Sequence, residues 1–510
     1  MRIFTSVAML LLLSACSSES SQRVDYDHPT NQTLNTETPY SDWISGEYKP
    51  SSNYANRCIN PRSDNNYQDL VGTYKDENNW LRSWSHETYL WYNELPDINP
   101  ALIEDPNEYF NLMKTSAITS NGLPKDRFHY AENTEEYNQY TETGVFAGYG
   151  FDFMFLQTTP PRKAIVIFSE PNSPASDNNI KRGTEIISVD GQAIDDGDAD
   201  ILNAGLFPEK LGEYHSFEIK DLNTLTTRTV VLQSSEIVTV PVHTQKIIER
   251  GDKKIGYLAL NSFFVASAEQ QLISAMDDFK NNQINDLILD LRYNGGGYIS
   301  MSADLGTMIA GNASLGSVFT EIALNDKLSN ENITFRFSST SSSDLSVSYG
   351  TELPKLDLPR VYILATENTA SASEYLINGL RGIDIEVILI GSTTTGKPYG
   401  WVPEDNCGTT YSTIQFKGEN AKGYGDFADG FVPSFEDNGT DQVRGCLVYD
   451  DLTKLLGDES ENMLATALFF IDNNECAVIA HNVNAKPAHP FSTVSGEVSS
   501  RFPGNGLLLQ

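Results

Sequence analysis

The chain has 510 residues, of which 39% are hydrophobic, so it is long enough for several folded domains. Its 69 Asp and Glu residues far outnumber its 35 Lys and Arg residues, and the formal net charge is −34 at pH 7. Such a surface repels nucleic acids and anionic lipid headgroups, which excludes both as expected partners. The cysteines and histidines have no metal-ligand spacing, so we expect neither a metal nor another cofactor.

The first residues indicate an export signal. An apolar run at 7–13 leads into Leu-Ser-Ala-Cys at 13–16. The run is too short to span a bilayer, and small residues before a cysteine are typical of a bacterial lipoprotein. We expect a signal peptide at 1–15 and lipidation of Cys16, with the chain in the bacterial cell envelope. Ser17 favours the outer membrane, facing the periplasm or the cell surface. A cleaved signal with an incidental cysteine is the alternative.

Lipidation of Cys16 leaves four cysteines, and export favours their oxidation into two disulfides. The four candidates are Cys58, Cys407, Cys446 and Cys476. Sequence alone allows three pairings. We favour Cys407 with Cys446 and Cys58 with Cys476, because the second bond would join the early and late segments of the chain.

Two segments precede the first strand-rich unit. Residues 16–64 contain much Ser, Asn, Thr and Pro and few aliphatic side chains, so they are predicted to be a lipidated, disordered tether. Aromatic residues at 80–92 have the spacing of an amphipathic helix, and 65–140 is therefore predicted to be a small helical domain. His86 lies within it, and we interpret it as a structural histidine.

Residues 141–240 are predicted to form a strand-rich unit. Its Ser173-Pro174-Ala175 motif and the run Gly-Thr-Glu-Ile-Ile-Ser-Val-Asp-Gly at 183–191 resemble the PDZ domains of bacterial proteases. Upstream, Gly148-Tyr149-Gly150-Phe151 resembles the PDZ carboxylate-binding loop. The backbone N–H groups of such a loop hold the terminal carboxylate of a peptide that adds to the sheet as a strand.

Residues 245–475 alternate predicted strands and helices, which indicates a layered α/β core. Strands are predicted at 255–260, 286–290, 361–365 and 387–390, and a helix at 267–280. The Ser- and Asn-rich segment at 310–360 is interpreted as an inserted loop or hairpin. Residues 476–510 are expected to form a C-terminal tail.

A serine stands where one of these strands gives way to a helix. In Asn-Thr-Ala-Ser-Ala-Ser-Glu at 368–374, Ser371 precedes a helix predicted to begin at Ala372. The free N–H groups and positive dipole end of that helix favour a nucleophile and stabilise negative charge on a substrate oxygen. Thr369 and Ser373 offer alternative hydroxyls, and helix capping is the alternative role for all three.

A lysine follows the next predicted strand, in Thr-Thr-Thr-Gly-Lys-Pro at 393–398. Adjacent parallel strands would bring Lys397 and Ser371 to the same edge of the sheet. A lysine that acts as a general base must be neutral, so its pKa must fall from about 10.4 toward about 7–8. Burial in a dry pocket can lower it that far.

Three glycines end the motif Asp-Leu-Arg-Tyr-Asn-Gly-Gly-Gly at 290–297. Glycines after a buried strand let the backbone approach a substrate closely. The N–H groups of Gly296 and Ala372 would then form a two-donor oxyanion hole. A plain glycine-rich turn is the alternative.

The motifs at 290–297, 369–374 and 396–397, in this order behind a PDZ-like unit, resemble the S41 family of carboxyl-terminal processing serine peptidases. The resemblance covers most of the folded chain. It implies a crotonase/ClpP-like α/β peptidase core with Ser371 as the nucleophile and Lys397 as the general base. It also implies that the PDZ-like unit captures the C-termini of polypeptide substrates.

One position departs from the family pattern. Many S41 members carry a Gln four residues after the lysine, where it orients the base, and here that position is Trp401. We expect a lipid-anchored endopeptidase that cleaves unstructured polypeptides near their C-termini through an acyl-enzyme. Trp401 keeps open a catalytically degenerate PDZ scaffold. A tricorn-like Ser-His hydrolase is the other alternative, with His481 and His489 as distant candidates. The sequence predicts no oligomeric state.

Overall fold

The structure is a computed structural model that describes residues 43–477 apart from 65, 120 and 158. The predicted signal peptide and the lipidation site at Cys16 lie outside the described residues, as do most of the tether and most of the C-terminal tail. Within the described ranges, no helix has both the length and the apolar character that a bilayer crossing requires.

The N-terminal region combines helices with short strands around an aromatic cluster. Its elements are β1 (Arg57–Cys58), β2 (Leu70–Val71), α1 (Tyr74–Thr88), α2 (Pro106–Leu112), β3 (Tyr130–Asn133) and α3 (Thr134–Thr143). α1 begins after Thr73, whose N–H donates to Asp76 in a capping box. Trp80 and Trp84, one turn apart on α1, stack with ring centroids 5.1 Å apart and pack on Phe110. The aromatic pattern predicted the helices here, and the short strands had no comparable signal.

The next unit is an antiparallel sheet with two short helices. Its elements are β4 (Val145–Gly148), β5 (Phe151–Gln157), β6 (Lys163–Ser169), α4 (Pro174–Asp177), β7 (Glu185–Val189), β8 (Gln192–Ala193), α5 (Ala199–Leu206), β9 (Tyr214–Lys220), β10 (Arg228–Gln233) and β11 (Ser235–Val238). Asp190 and Gly191 form the turn between β7 and β8, both with positive φ, as a tight hairpin requires. The strand order is β10-β9-β7-β6-β5, so β5 lies at the edge of the sheet.

The core contains the remaining elements. They are β12 (Val242–Arg250), β13 (Lys253–Leu260), α6 (Ser267–Asn282), β14 (Asp286–Asp290), α7 (Ile299–Ala310), β15 (Val318–Leu324), β16 (Ile333–Arg336), β17 (Arg360–Ala365), α8 (Ala372–Gly382), β18 (Glu386–Gly391), β19 (Tyr399–Gly400), β20 (Glu404–Asn406), β21 (Thr409–Ser412), β22 (Phe416–Glu419), β23 (Val432–Ser434), β24 (Gln442–Leu447) and α9 (Asn462–Asn473). The segment interpreted as a loop or hairpin contains the antiparallel pair β15–β16.

A seven-stranded sheet, in the order β12-β13-β14-β17-β18-β24-β23, organises this core. All neighbours from β13 to β23 are parallel, and only β12 is antiparallel. Apolar residues of α6, α7 and α8 pack on one face, and those of α9 pack on the other. This layering buries both faces of the central strands, which explains why β14, β17 and β18 are almost continuously apolar.

The four candidate cysteines form two disulfides, but the predicted pairing is wrong. Cys58 bonds to Cys407 across 5.3 Å between Cα atoms, and Cys446 bonds to Cys476 across 5.6 Å. The β20–β21 hairpin that carries Cys407 docks on the N-terminal region through the pairing of β21 with β3. The chain after α9 returns to β24, which carries Cys446. Both bonds therefore depend on tertiary docking that cysteine spacing does not show.

Candidate active site

Ser371 occupies a strained turn between β17 and α8. Its backbone has φ 56° and ψ −117°, a region that residues other than glycine rarely adopt. Its side chain is partly exposed. The alternative hydroxyls of Thr369 and Ser373 are buried and donate to the carbonyl oxygens of Leu291 and Asn294 at 2.8 and 3.0 Å. Of these three hydroxyls, only that of Ser371 is accessible to a substrate.

Lys397 lies in the turn after β18 and is only 4% exposed. Its Nζ is 3.7 Å from the centroid of the Trp401 ring and 5.3 Å from that of Phe128. Burial lowers the pKa of Lys397 well below its usual value, although the carboxylates of Glu374 and Asp126 oppose that shift. The site therefore favours the neutral amine, which is the form that a general base requires.

Glu374 joins the serine turn to the lysine turn. Its buried carboxylate accepts from the N–H of Ser371 at 3.0 Å and from the N–H of Lys397 at 2.8 Å. It also accepts from the N–H of Gly396 at 2.7 Å and from Thr394 Oγ1 at 2.5 Å. Burial raises the pKa of Glu374, and these hydrogen bonds oppose the rise. Sequence reasoning gave Glu374 no role, although a Glu three residues after a helix-capping serine was an available signal.

The sheet places Ser371 and Lys397 at one edge, as the parallel strands predict. β17 and β18 pair from Arg360↔Glu386 to Ala365↔Gly391. A hydrogen bond joins the two turns that follow these strands: the N–H of Thr395 donates to Thr369 O at 3.0 Å. Within the described part of the chain, however, no hydrogen bond joins Ser371 Oγ to Lys397 Nζ. The amine instead contacts the rings of Trp401 and Phe128.

The predicted oxyanion donors lie beside Ser371, and one of them already donates a hydrogen bond within the protein. Gly296 has φ 108°, and a Cβ there would lie 2.7 Å from Ser371 Cβ and 3.0 Å from Ala372 N. Only glycine permits this approach. The N–H of Gly296 donates to Asn294 Oδ1 at 2.9 Å, whereas the N–H of Ala372 has no acceptor among the residues described. The N–H of Gly296 must therefore leave Asn294 Oδ1 before both amides can bind one substrate oxygen.

Asn294 is a second residue to which sequence reasoning gave no role. Its Nδ2 donates to Leu260 O at 3.0 Å, and its backbone carbonyl accepts from the N–H of Ala370 at 3.1 Å. The same carbonyl also accepts the hydroxyl of Ser373. Asn294 thereby fixes the glycine-rich loop against the serine turn.

The predicted carboxylate loop, Gly148-Tyr149-Gly150-Phe151, connects β4 to the edge strand β5. Gly150 has φ 80°, and Tyr149 is buried with its hydroxyl donating to Gly205 O at 3.1 Å. The loop lines a cavity of about 120 Å³ that also reaches Asn368, three residues before Ser371. The peptide-binding candidate and the serine turn therefore border the same cavity.

The described histidines do not support a Ser-His site. They are His86, His129, His215 and His243. None of the four hydrogen-bonds to Ser371 in the described ranges. His86 stacks on Tyr48, and burial lowers the pKa of His86 to about 4, as suits a structural residue. His481 and His489 lie outside the described residues. In the same described part, no three His, Cys, Asp or Glu side chains are grouped as metal ligands.

A strained serine and a buried lysine therefore lie at one edge of a parallel sheet, beside a small antiparallel sheet unit. Two family models match the chain: peptidase family S41 over residues 254–410 and the peptidase S41 N-terminal domain over 76–128. The resemblance to peptidase family S41 that the motifs predicted is therefore confirmed over these residues.

Two curated relatives are similar to about half of the chain. It is 26% identical over 254 residues to the chloroplastic carboxyl-terminal-processing peptidase 3 of Arabidopsis thaliana, covering 48% of this chain and 44% of that protein. It is 25% identical over 260 residues to the carboxyl-terminal-processing protease of Synechocystis sp., covering 51% and 55%. The chain thus spans about half the length of the curated relatives it matches.

A solved structure supports the fold. An S41-type protein of Bacteroides fragilis aligns with a TM-score of 0.57 at 23% identity, over 81% of this chain and 100% of that one. Similarity at this level of identity concerns the fold alone. It confirms the predicted α/β class of the core.

Proposed function

We propose that the chain is a serine endopeptidase that cleaves unstructured polypeptides near their C-termini, with Ser371 as the nucleophile and Lys397 as the base. The observation that carries the proposal is the set of four hydrogen bonds accepted by buried Glu374. A helix cap needs only the bond from the N–H of Ser371. The other three fix the lysine turn against the serine turn, which suits a pair of residues that react together.

In the proposed reaction, neutral Lys397 accepts the hydroxyl proton of Ser371 while Oγ attacks the carbonyl carbon of the scissile peptide bond. The N–H of Ala372 stabilises the oxyanion, joined by that of Gly296 once it leaves Asn294 Oδ1. Protonated Lys397 then gives its proton to the leaving amine, and the C–N bond breaks to leave an acyl-enzyme. Lys397 next deprotonates a water molecule, whose oxygen attacks the ester carbonyl, and then returns that proton to Ser371 Oγ as the C–O bond breaks and the acid product leaves.

The proposed chemistry requires Lys397 Nζ to move from the Trp401 ring toward Ser371 Oγ. A base in action lies about 2.6–3.2 Å from the hydroxyl it deprotonates. We assign this movement, together with release of the Gly296 N–H, to substrate binding. The described arrangement is then a resting form in which both groups are held by neighbours in their own loops.

The substrate class rests on the PDZ-like unit and on the relatives. Strand β5 is a sheet edge that follows directly from the loop at 148–151, so an extended peptide can pair with it. Such pairing requires an unfolded segment with an accessible C-terminus. Both curated relatives are named for carboxyl-terminal processing.

We also propose that a lipid on Cys16 attaches the enzyme to the bacterial cell envelope. Ser17 favours the outer membrane as its location. The support is the lipoprotein pattern at 7–16 and the pair of disulfides, which suit an oxidising compartment. Metabolic labelling with an alkyne-bearing fatty acid tests it. The full chain is expected to take up the label and its Cys16→Ser variant to lose it, whereas equal labelling would refute the anchor.

Cleavage of a disordered protein such as casein tests the proposed activity. We expect Ser371→Ala and Lys397→Ala to abolish cleavage without lowering the melting temperature much. Ser329→Ala and Lys417→Ala alter exposed side chains outside the site and serve as matched controls. Full activity in either site variant would overturn the assignment.

A catalytically degenerate PDZ scaffold is the second candidate, because Lys397 Nζ contacts Trp401 rather than Ser371 in the described structure. A fluorophosphonate probe distinguishes the two. An enzyme forms an adduct at Ser371, whereas a scaffold binds peptides and gives no adduct.

A further inference from the structure

The cavity beside the loop at 148–151 contains two acidic groups that the proposed mechanism does not use. Asp152 and Glu170 both line it. Glu170 is 5% exposed and accepts from the N–H of Val240 at 3.1 Å, and Asp152 accepts from the N–H of Phe153 at 2.9 Å. Burial raises the pKa of Asp152 to about 6 and, with the Asp152 charge, that of Glu170 to about 8. Neither acid pairs with a Lys or Arg in the described ranges.

Two buried amide groups face the same cavity. Asn261 and Asn368 line it and are 5% and 2% exposed. Asn261 Nδ2 and Asn368 Oδ1 have no hydrogen-bond partner within the described part of the chain. An unpaired buried polar atom costs about 1–3 kcal/mol, so a ligand that pairs with it recovers that free energy. The acceptor on Asn368 and the two acids together suit a ligand that carries several N–H donors.

The walls of the cavity are aromatic. The rings that line it include Tyr140, Phe146, Tyr149, Phe151 and Phe168. Aromatic faces attract cations, and they pack well against the apolar stem of a Lys or Arg side chain. Carboxylates among aromatic rings therefore favour a long basic side chain over a small or acidic one.

A second cavity, of about 210 Å³, has further acidic side chains in its wall. It shares Tyr140, Phe146 and Ala147 with the first, so the two cavities adjoin each other. Four glutamates line it: Glu132, Glu136, Glu209 and Glu236. None of the four forms an ion pair among the residues that the structure describes. Acidic side chains therefore line both cavities.

We propose that the PDZ-like unit selects substrates with a Lys or Arg among their last three residues, and that this side chain lies between Asp152 and Glu170. The inference rests on the proposed function, because it requires that the loop at 148–151 receives a peptide C-terminus. Ionised Asp152 beside that loop repels a terminal carboxylate, and a basic side chain in the same peptide offsets the repulsion and favours the ionised form of both acids. The acids therefore select against apolar and acidic tails.

Fluorescence anisotropy with the full-length Ser371→Ala variant tests the proposal. The probes are fluorescein-labelled decapeptides that differ at one of their last three positions, with Lys, Arg, norleucine or Glu. We expect the Lys and Arg peptides to bind at least about tenfold more tightly than the norleucine peptide at one or more of these positions. We expect Asp152→Asn with Glu170→Gln to reduce that preference below about twofold. Glu170→Gln keeps an acceptor for the N–H of Val240.

Asp196→Asn is the matched control, since it removes an exposed acid from the same unit and should leave the preference intact. Melting temperatures show that each variant is folded. Equal binding of all peptides, no binding of any peptide, or a preference that persists in the double variant would overturn the proposal. Because the assay uses a protein without the nucleophile, a failure of the proposed peptidase chemistry leaves the result unaffected.

Discussion

Lys397 Nζ lies 3.7 Å from the centroid of the Trp401 ring, in van der Waals contact with an aromatic face. Trp401 stands where many S41 members carry the Gln that orients the base. An indole ring gives the amine a dry wall and has no acceptor for its protons. The ring attracts the charged form of Lys397, yet burial outweighs this attraction and lowers the pKa. Trp401 is therefore part of the burial that lowers the pKa of Lys397.

Trp401→Gln is expected to move the acidic limb of the pH profile of kcat/KM to higher pH. The Gln carbonyl accepts a hydrogen bond from the ammonium, which stabilises the charged form and raises the pKa of Lys397. Trp401→Phe keeps an aromatic wall and should leave the limb in place. The same shift in both variants would show that the hydrogen-bond acceptor of Gln is not what raises the pKa of Lys397.

Glu374→Gln is expected to separate the serine and lysine turns. Each carboxylate oxygen accepts two hydrogen bonds, so an amide nitrogen in place of one oxygen leaves two buried donors unpaired. The expected loss of stability is at least about 1–3 kcal/mol, measured by urea unfolding. kcat should fall by more than about tenfold under conditions where the variant is fully folded. Glu331→Gln changes an exposed carboxylate and should alter neither quantity.

Lys397→Met is expected to stabilise the protein at neutral pH. Because burial lowers the pKa of Lys397 in the folded state, the unfolded chain binds more protons at this position between the folded and unfolded pKa values. The free energy of unfolding of the parent therefore rises with pH, from the lowered folded pKa up to about 10.4. The variant lacks this dependence, so its advantage is zero near pH 10.4 and grows by about 1.4 kcal/mol for each pH unit below that, until the pH reaches the folded pKa.

Urea unfolding of both proteins at several pH values measures that difference. Lys417→Met, at an exposed position, should show no pH-dependent advantage. A constant difference between the Lys397→Met variant and the parent across this range would contradict the lowered pKa.

Gly296→Ala is expected to reduce kcat by at least about a hundredfold. A Cβ at this position would meet Ser371 Cβ at 2.7 Å, and φ 108° is strained for alanine. Moving the loop away also removes one oxyanion donor, which alone is worth about 2.7–4 kcal/mol. Gly316→Ala is the control, because Gly316 also has a positive φ and has open space around it. Similar losses in both variants would mean that strain, not the oxyanion hole, causes the effect.

The sequence allowed prediction of those features that follow from local patterns. β14, β17 and β18 are apolar runs between turns, and the parallel order of β17 and β18 brings Ser371 and Lys397 to one edge. The disulfides could not be predicted, because Cys58 meets Cys407 only after the β20–β21 hairpin docks on β3. The role of Glu374 could not be predicted either, because its hydrogen-bond partners come from two turns that meet only in the folded core.

The acidic residues near the PDZ-like loop are another feature that the sequence could not predict. The motif at 148–151 predicted a place for a terminal carboxylate. Glu170 follows β6, two strands after that loop in the chain. It lines the cavity only because β6 pairs with β5. Sequence reasoning could therefore predict the loop, whereas the acids that would decide which peptide binds became visible only in the folded structure.

The most direct test of the Ser-Lys assignment is the rate at which a fluorophosphonate labels Ser371 as a function of pH, in the parent and in Lys397→Met. Labelling is located by peptide mass mapping. The parent rate is expected to rise with pH and to level off well below 10.5, and the variant is expected to react at least about a hundredfold more slowly. Equal rates in the two proteins, or an adduct at another residue, would contradict the account.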